Sequence, residues 1–127
     1  MILVDTSAWI EFFRGAGTIA QKVDELLESN ELALCGPVVT ELRRGLRSSS
    51  ERQRVLASLR ACHLLEPPAR LWEEAGELGF LLGRKGAVVK SMDLLIATYA
   101  LTHGVALLTR DADFERMRRA GTPLLLA

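Results

Sequence analysis

The sequence predicts an α/β fold of three layers, a central parallel sheet of five strands with helices on both faces. Three observations predict it. Short unbroken apolar runs, beginning with Ile2-Leu3-Val4, recur along the chain and read as strands covered on both faces. Amphipathic segments at helical spacing separate each run from the next, so neighbouring strands are joined by crossovers instead of hairpins. The chain has 127 residues, 49% hydrophobic and 25% charged, with no linker, repeat or low-complexity tract to divide it. One domain over residues 1–127 is expected.

The first strand, Ile2-Leu3-Val4, ends at Asp5, and Thr6 or Ser7 can cap a helix from Ala8 to Phe13 that Gly15 and Gly17 stop. Ile19, Val23, Leu26 and Leu27 form the apolar stripe of a second helix, which breaks at Ser29-Asn30. Leu32-Ala33-Leu34-Cys35 is the second strand. Gly36-Pro37 then turns the chain into a helix through Val38, Val39, Glu41, Leu42 and Leu46, with Pro37 in its first turn. Ser48-Ser49-Ser50 is a capping loop before a helix carrying Val55, Leu56 and Leu59, and a third strand around His63-Leu64-Leu65 is halted by Pro67-Pro68. A long helix from Ala69 aligns Leu71, Ala75, Leu78 and Leu82 and ends in Gly83-Arg84-Lys85-Gly86. Ser91 is the expected cap of Met92 to Leu101, a helix apolar nearly all round and so sandwiched inside the fold, closed by His103-Gly104. Val105 to Leu108 is the fourth strand and Asp111 to Arg119 the last helix. Pro123-Leu124-Leu125-Leu126 is a fifth strand at the edge, where proline is tolerated.

Basic and acidic residues number 16 each, so no bulk charge draws this protein to a polyanion, and any nucleic acid must be engaged locally. No apolar run approaches the roughly 20 residues of a membrane span. The segment from Met1 to Asp5 lacks a signal peptide's basic start, which predicts a cytoplasmic protein with no membrane contact. Cys35 and Cys62 are too few for a disulfide scaffold or a four-cysteine zinc site and read as reduced core thiols. His63 and His103, at a strand start and a helix end, read as structural.

In an open parallel sheet, function gathers at the carboxyl ends of the strands. Four acids fall there. Asp5 ends the first strand, Glu41 lies in the early turns of the helix after the second, Asp93 is two residues past Ser91, and Asp111 follows the fourth strand and Thr109-Arg110. One acid in the first turn of a helix signals nothing, since the helix dipole favours it by about 0.3–1 kcal/mol. Asp5 differs, because it closes an apolar run where a lone carboxylate is costly to desolvate, and four acids on one rim repel one another unless neutralised. A divalent cation neutralises them, and hard oxygen ligands select Mg²⁺ or Mn²⁺ over zinc. The sequence offers no G-x-S-x-G elbow, no phosphate-cradling glycine loop and nothing to activate Ser48-Ser49-Ser50 as a nucleophile.

The segments Val4-Asp5-Thr6-Ser7-Ala8-Trp9-Ile10, Pro37-Val38-Val39-Thr40-Glu41-Leu42, Met92-Asp93-Leu94-Leu95-Ile96-Ala97 and Leu108-Thr109-Arg110-Asp111-Ala112-Asp113-Phe114 follow one another in this order. Together they resemble the successive motifs of PIN-domain ribonucleases, in particular the VapC-type toxins of type II toxin–antitoxin pairs. Any one tripeptide among them occurs by chance, whereas the ordered set, spanning essentially the whole chain, is specific. The resemblance implies a PIN-like fold with the first strand central, and Asp5, Glu41, Asp93 and Asp111 as the acidic quartet that binds Mg²⁺ or Mn²⁺. Asp113 stands beside Asp111 as a secondary ligand or water-mediated contact. Thr6 and Thr109 rank next, as hydroxyls that can hydrogen-bond a carboxylate or a metal-bound water, or simply cap a helix and end a strand.

The activity so implied is metal-dependent endoribonuclease hydrolysis of single-stranded or looped RNA, with water as the nucleophile and a 5′-phosphate on the product. The resemblance also implies a homodimer and a cognate VapB-type antitoxin whose helical segment fills a groove. Ile10, Phe13, Val39 and Leu46 are candidates for that surface, or for the protein's own core. A PIN-type RNA-processing nuclease that is not a toxin is the neighbouring reading. Arg43, Arg44 and Arg47 follow Glu41, and Arg116, Arg118 and Arg119 follow the last motif, so arginines flank the rim as RNA contacts or as ordinary dipole-favoured helix ends. Trp9, Phe12, Phe13 and Trp72 have apolar neighbours and read as core or oligomer interface. A phospho-receiver module would need an aspartate after the third strand, where this chain reads His63-Leu64-Leu65-Glu66-Pro67. A catalytically dead binding module would have no reason to keep four mutually repelling acids.

Overall fold

The computed structural model describes residues 1–15 and 17–127. Strands β1 (Ile2–Val4), β2 (Leu32–Leu34), β3 (His63–Leu64) and β4 (Ala106–Leu108) form one sheet in the order β3-β2-β1-β4. Every pairing is parallel: Leu3 lies opposite Ala33 on one side and Leu107 on the other, and Leu34 lies opposite Leu64. Helices α1 (Thr6–Arg14) and α2 (Gly17–Glu28) join β1 to β2. Helices α3 (Gly36–Arg44) and α4 (Ser49–Arg60) join β2 to β3, α5 (Leu71–Arg84) and α6 (Ser91–His103) join β3 to β4, and α7 (Ala112–Arg119) follows.

Successive strand side chains point to opposite faces. Leu3 and Val4, Leu32 to Leu34, and Leu107 and Leu108 are nonetheless all buried, so helices cover the sheet on both sides and the three layers are as expected. Only the edge strand β3 departs, with Leu64 exposed. Helix α6, the all-round apolar segment, buries Ile96, Ala97, Thr98, Tyr99 and Ala100. Phe114 and Met117 pin α7 to the core with no exposure at all.

The fifth strand is corrected. The segment Pro123 to Leu126 makes a single bridge, Leu107 to Leu126, in which the Leu107 N–H donates to Leu125 O and the Ala127 N–H donates to Leu107 O, both at 2.8 Å. Pro123 has no N–H to donate, and the Leu124 N–H turns back to Thr122 O at 2.8 Å, so the residues that should have opened the strand cannot join the ladder. Other boundaries shift slightly. The cap of α1 is Asp5, neither Thr6 nor Ser7, and the cap position of α6 is Lys90 where Ser91 was expected. Gly15, at φ 69°, ends α1, while Gly17 opens α2. Ser48 caps α4 through the Glu51 N–H as the serine loop predicts.

Both cysteines are free thiols, and burial pushes each up to about 12, where thiolate chemistry is suppressed. His63 and His103 each bond a backbone carbonyl, of Asn30 and Glu66, which is the structural role expected of them.

The chain winds from β1 outward to β3, then returns across the sheet to β4. The reversal falls between β1 and β4, and the crevice outside their carboxyl ends is the place where such sheets bind ligands. Because Phe114 roots the helix that borders this crevice, Phe114→Ala is expected to cost about 3–5 kcal/mol. Val88→Ala, at a side chain 77% exposed, should stay within about 0.5 kcal/mol of the parent. Urea unfolding of the two variants measures both.

Candidate active site

Asp5 leaves β1 at the reversal. Its N–H continues the ladder by donating to Leu108 O at 3.1 Å, and its side chain caps α1 by accepting the Ala8 N–H at Oδ1, also 3.1 Å. Ser7 Oγ donates to the same oxygen at 2.8 Å, and Thr109 Oγ1, at the end of β4, donates to Oδ2 at 2.7 Å. Thr109 Oγ1 in turn accepts the Asp111 N–H at 2.9 Å, and Ser7 Oγ accepts the Arg110 N–H at 2.8 Å. Two hydroxyls thus stitch the ends of β1 and β4 together across the buried carboxylate. Burial raises the Asp5 pKa, the bonds from Thr109, Ser7 and Ala8 pull it back, and the charge of Asp111 adds to the rise.

Across the crevice, Asp93 sits in the first turn of α6, while Asp111 caps α7 by accepting the Asp113 N–H at 2.9 Å. One carboxylate oxygen from each of Asp93, Asp111 and Asp113 lies within 4.8 Å of the others. Asp93 is buried, and its Oδ2 has no hydrogen-bond partner among the described residues. Desolvation, then the charges of Asp111 and Asp113, push its pKa up to about 7 against the relief given by Lys90. Three clustered carboxylates with one buried oxygen unpartnered are the donor set of a hard divalent cation, so the residues present fit Mg²⁺ or Mn²⁺.

Asp93 and Asp111 thus come together, and Asp113, expected as a secondary contact, stands in the same cluster. Asp5 lies outside that trio, joined to it through Thr109. Glu41, half-buried on α3, lies outside it too and is held from the other side, where Thr6 Oγ1 donates to its Oε1 at 2.6 Å. Both threonines bond carboxylates. Two residues have roles at the site beyond those the sequence assigns them. Ser7 was weighed only as a cap, although an i, i+2 hydroxyl beside a buried aspartate is a recognisable local pattern. Arg116 donates to Asp113 Oδ1 at 2.7 Å and to Val88 O at 3.3 Å, tying α7 to the loop that leads into α6; its i+3 spacing from Asp113 was the available signal.

Beside Thr6 and Glu41 the surface opens into a groove of about 530 Å³ between α1, α3 and the start of α4. Ile10, Phe13 and Leu46 line it together with Arg14, Arg47 and Arg54. Val39 lies elsewhere, packed against the core.

A carboxyl with a folded-state pKa above its unfolded value binds its proton more tightly when folded, so stability falls as pH rises between the two values. Asp93, at about 7 in the fold against 3.8, is expected to cost the cation-free protein about 2–3 kcal/mol between pH 5 and pH 7.5. Urea midpoints in EDTA at these two pH values measure it. Asp93→Asn should flatten most of the dependence, and Mg²⁺ should restore the midpoint of the parent at pH 7.5.

Residues 2–120 match the PIN domain family. A VapC ribonuclease of Mycobacterium bovis and ribonuclease VapC11 of Mycobacterium tuberculosis are each 35% identical over 126 residues, spanning 94% of this chain and 92% of theirs. Among solved structures, VapBC2 of Rickettsia felis, bound to a DNA fragment from its promoter, superposes with a TM-score of 0.80 at 21% identity over 100% of this chain and 98% of that one. VapBC-1 of nontypeable Haemophilus influenzae superposes at 0.78 with 22% identity over 100% of this chain and 97% of that one. With its acids placed at the reversal of the sheet and its likeness running nearly end to end, this chain belongs to the PIN-domain family, among the VapC proteins.

Proposed function

We propose that this protein is an endoribonuclease that hydrolyses RNA phosphodiester bonds with a bound Mg²⁺ or Mn²⁺, and that it is the toxin of a type II toxin–antitoxin pair. The observations that carry the reading are the convergence of Asp93, Asp111 and Asp113 and the buried Oδ2 of Asp93 left without a partner among the described residues. The 35% identity to proteins named ribonucleases supports it, and the structural neighbours solved as VapBC complexes support a VapB-type antitoxin partner. On this reading the chain is one PIN domain over residues 1–127 that works as a homodimer in the cytoplasm. No helix among the described residues is long and apolar enough to cross a membrane.

Asp93, Asp111 and Asp113 would hold the cation, with Asp5 and Glu41 completing the acidic wall. A divalent cation in such a site lowers the pKa of water and stabilises the charge that develops on the phosphate. The chain's own groups set up that chemistry. Thr109 and Ser7 hold Asp5 in one orientation and favour its ionised form, and Thr6 does the orienting for Glu41. Arg116 restrains Asp113 through its Oδ1. The Ser7 and Thr109 hydroxyls donate to a carboxylate, and both histidines bond carbonyls elsewhere, so among the described residues no hydroxyl of the site is paired with a histidine base.

Cleavage of end-labelled structured RNAs and tRNAs by the purified protein tests the reading. Cutting is expected in Mg²⁺ or Mn²⁺ and lost in EDTA. Asp5→Asn and Asp93→Asn, shown folded by circular dichroism, should each lower the rate at least about a hundredfold, equivalent to about 2.7 kcal/mol of lost transition-state stabilisation. Rates unchanged in both variants would sink the assignment of these carboxylates.

A further inference from the structure

The neutral overall charge conceals an uneven distribution of paired and unpaired cations. Arg70, Arg116, Arg118 and Arg119 each sit within 3.3 Å of a carboxylate on their own or an adjoining turn. Arg43, Arg44, Arg47, Arg52, Arg54 and Arg60 cluster instead on α3, α4 and the loop between them, and among the described residues none lies within salt-bridge distance of an acid. Two of the six, Arg47 and Arg54, line the groove that runs outward from Thr6 and Glu41.

The acids of that groove are turned to local work. Glu41 accepts the Thr6 hydroxyl, and Glu51 Oε2 accepts the Arg47 backbone N–H at 3.0 Å, leaving the Arg47 guanidinium free. Arg54 rests over the Phe13 ring at 5.7 Å, a contact that holds the guanidinium without consuming its N–H donors. Arg14, at the same groove, has only an exposed pair with Glu11 at 3.7 Å, too loose to fix it.

We infer that this groove is the track for the RNA backbone, with Arg47 and Arg54 binding phosphates of a single strand whose scissile bond lies over the carboxylates. The inference rests on the nuclease reading and adds the residues that hold the substrate. Continuity favours RNA over an acidic peptide. Thr6 and Glu41 belong both to the groove and to the site wall, so a strand seated on the arginines runs directly onto the carboxylates. The phosphates of such a strand also bring the dense negative charge that a protein without net charge can recruit only locally. The partly apolar floor of Ile10 and Leu46 suits the riboses and bases of an unpaired strand rather than a duplex.

The test is fluorescence anisotropy of a labelled single-stranded RNA of mixed sequence on the full chain in EDTA, where no cleavage interferes. Arg47→Ala/Arg54→Ala is compared with Arg60→Ala/Arg84→Ala, all shown folded. Each single-strand phosphate contact contributes about 0.7 to the log–log salt slope, so losing two should weaken binding about 25-fold at 0.1 M salt and flatten the slope by about 1.4. The control pair should change affinity less than about twofold. Equal losses in both pairs, an unchanged groove variant, or no RNA binding by the folded parent would overturn the inference. So would a groove variant that keeps RNA but no longer binds a helical antitoxin, which would assign the groove to protein. Cleavage in Mg²⁺ is read separately, so a parent that binds through these arginines without cutting counts against the nuclease reading alone.

Discussion

Carboxylate crowding at the mouth between β1 and β4 is the constraint that organises the rest of this molecule. Asp93 and Asp5 are both buried, and the charges of Asp111 and Asp113 lie close enough to lift the Asp93 pKa to about 7. Folding therefore works against electrostatics at the one place where the sheet reverses. The surroundings offset the cost unevenly. Asp5 receives three hydrogen bonds and Asp111 accepts a backbone N–H, whereas Asp93 Oδ2 receives nothing among the described residues. That imbalance gives the two carboxylates different freedom: Asp5 is held in place by the chain, whereas Asp93 keeps an oxygen open toward the crevice side of the cluster.

Much of this was legible in the sequence because it depends on local patterns. The strands β1, β2 and β4 are unbroken apolar runs, and burial on both faces is what such runs require. Asp5, Asp93 and Asp111 could be placed because each follows a strand end or begins a helix, and the geometry of a parallel sheet brings those positions to one rim. What escaped depends on which of several competent groups the tertiary structure selects. Asp5, Thr6 and Ser7 can all cap a helix, and the choice fell on Asp5 because its backbone is still held extended by β4, leaving the hydroxyls to serve the carboxylates. The place of Asp113 beside Asp111 depends on the start of α7, a matter of one residue. The fifth strand failed on bonding capacity, since hydrophobic pattern does not report that Pro123 cannot donate and that Leu124 turns back locally.

The arginines show the same division. Arg116, Arg118 and Arg119 looked equivalent in sequence to Arg43, Arg44 and Arg47, all lying late in a helix or just beyond one. The difference is how the nearby acids are engaged. On α7, Asp113 and Glu115 stand three or four residues before their arginines, so the cations are drawn into intrahelical pairs. On α3 the only acid, Glu41, precedes Arg43 and Arg44 by two and three residues and already accepts the Thr6 hydroxyl, and Arg47 lies beyond the helix end.

A pairing that neutralises one side of the site and a gap in pairing that leaves the other side cationic give a neutral protein a directional field. On the α7 side, Arg116 pairs with Asp113 through one terminal nitrogen and donates to Val88 O through the other, which ties α7 to the loop that leads into α6. On the α3–α4 side, the cations are unspent and reach outward. An acidic centre that repels a polyanion becomes usable only when something offsets its charge at short range. In this fold a cation can do so within the cluster, and the unpaired arginines can do so along the approach to it. On the proposed reading the two act together, a cation offsetting the charge of the cluster and the arginines drawing the strand toward it.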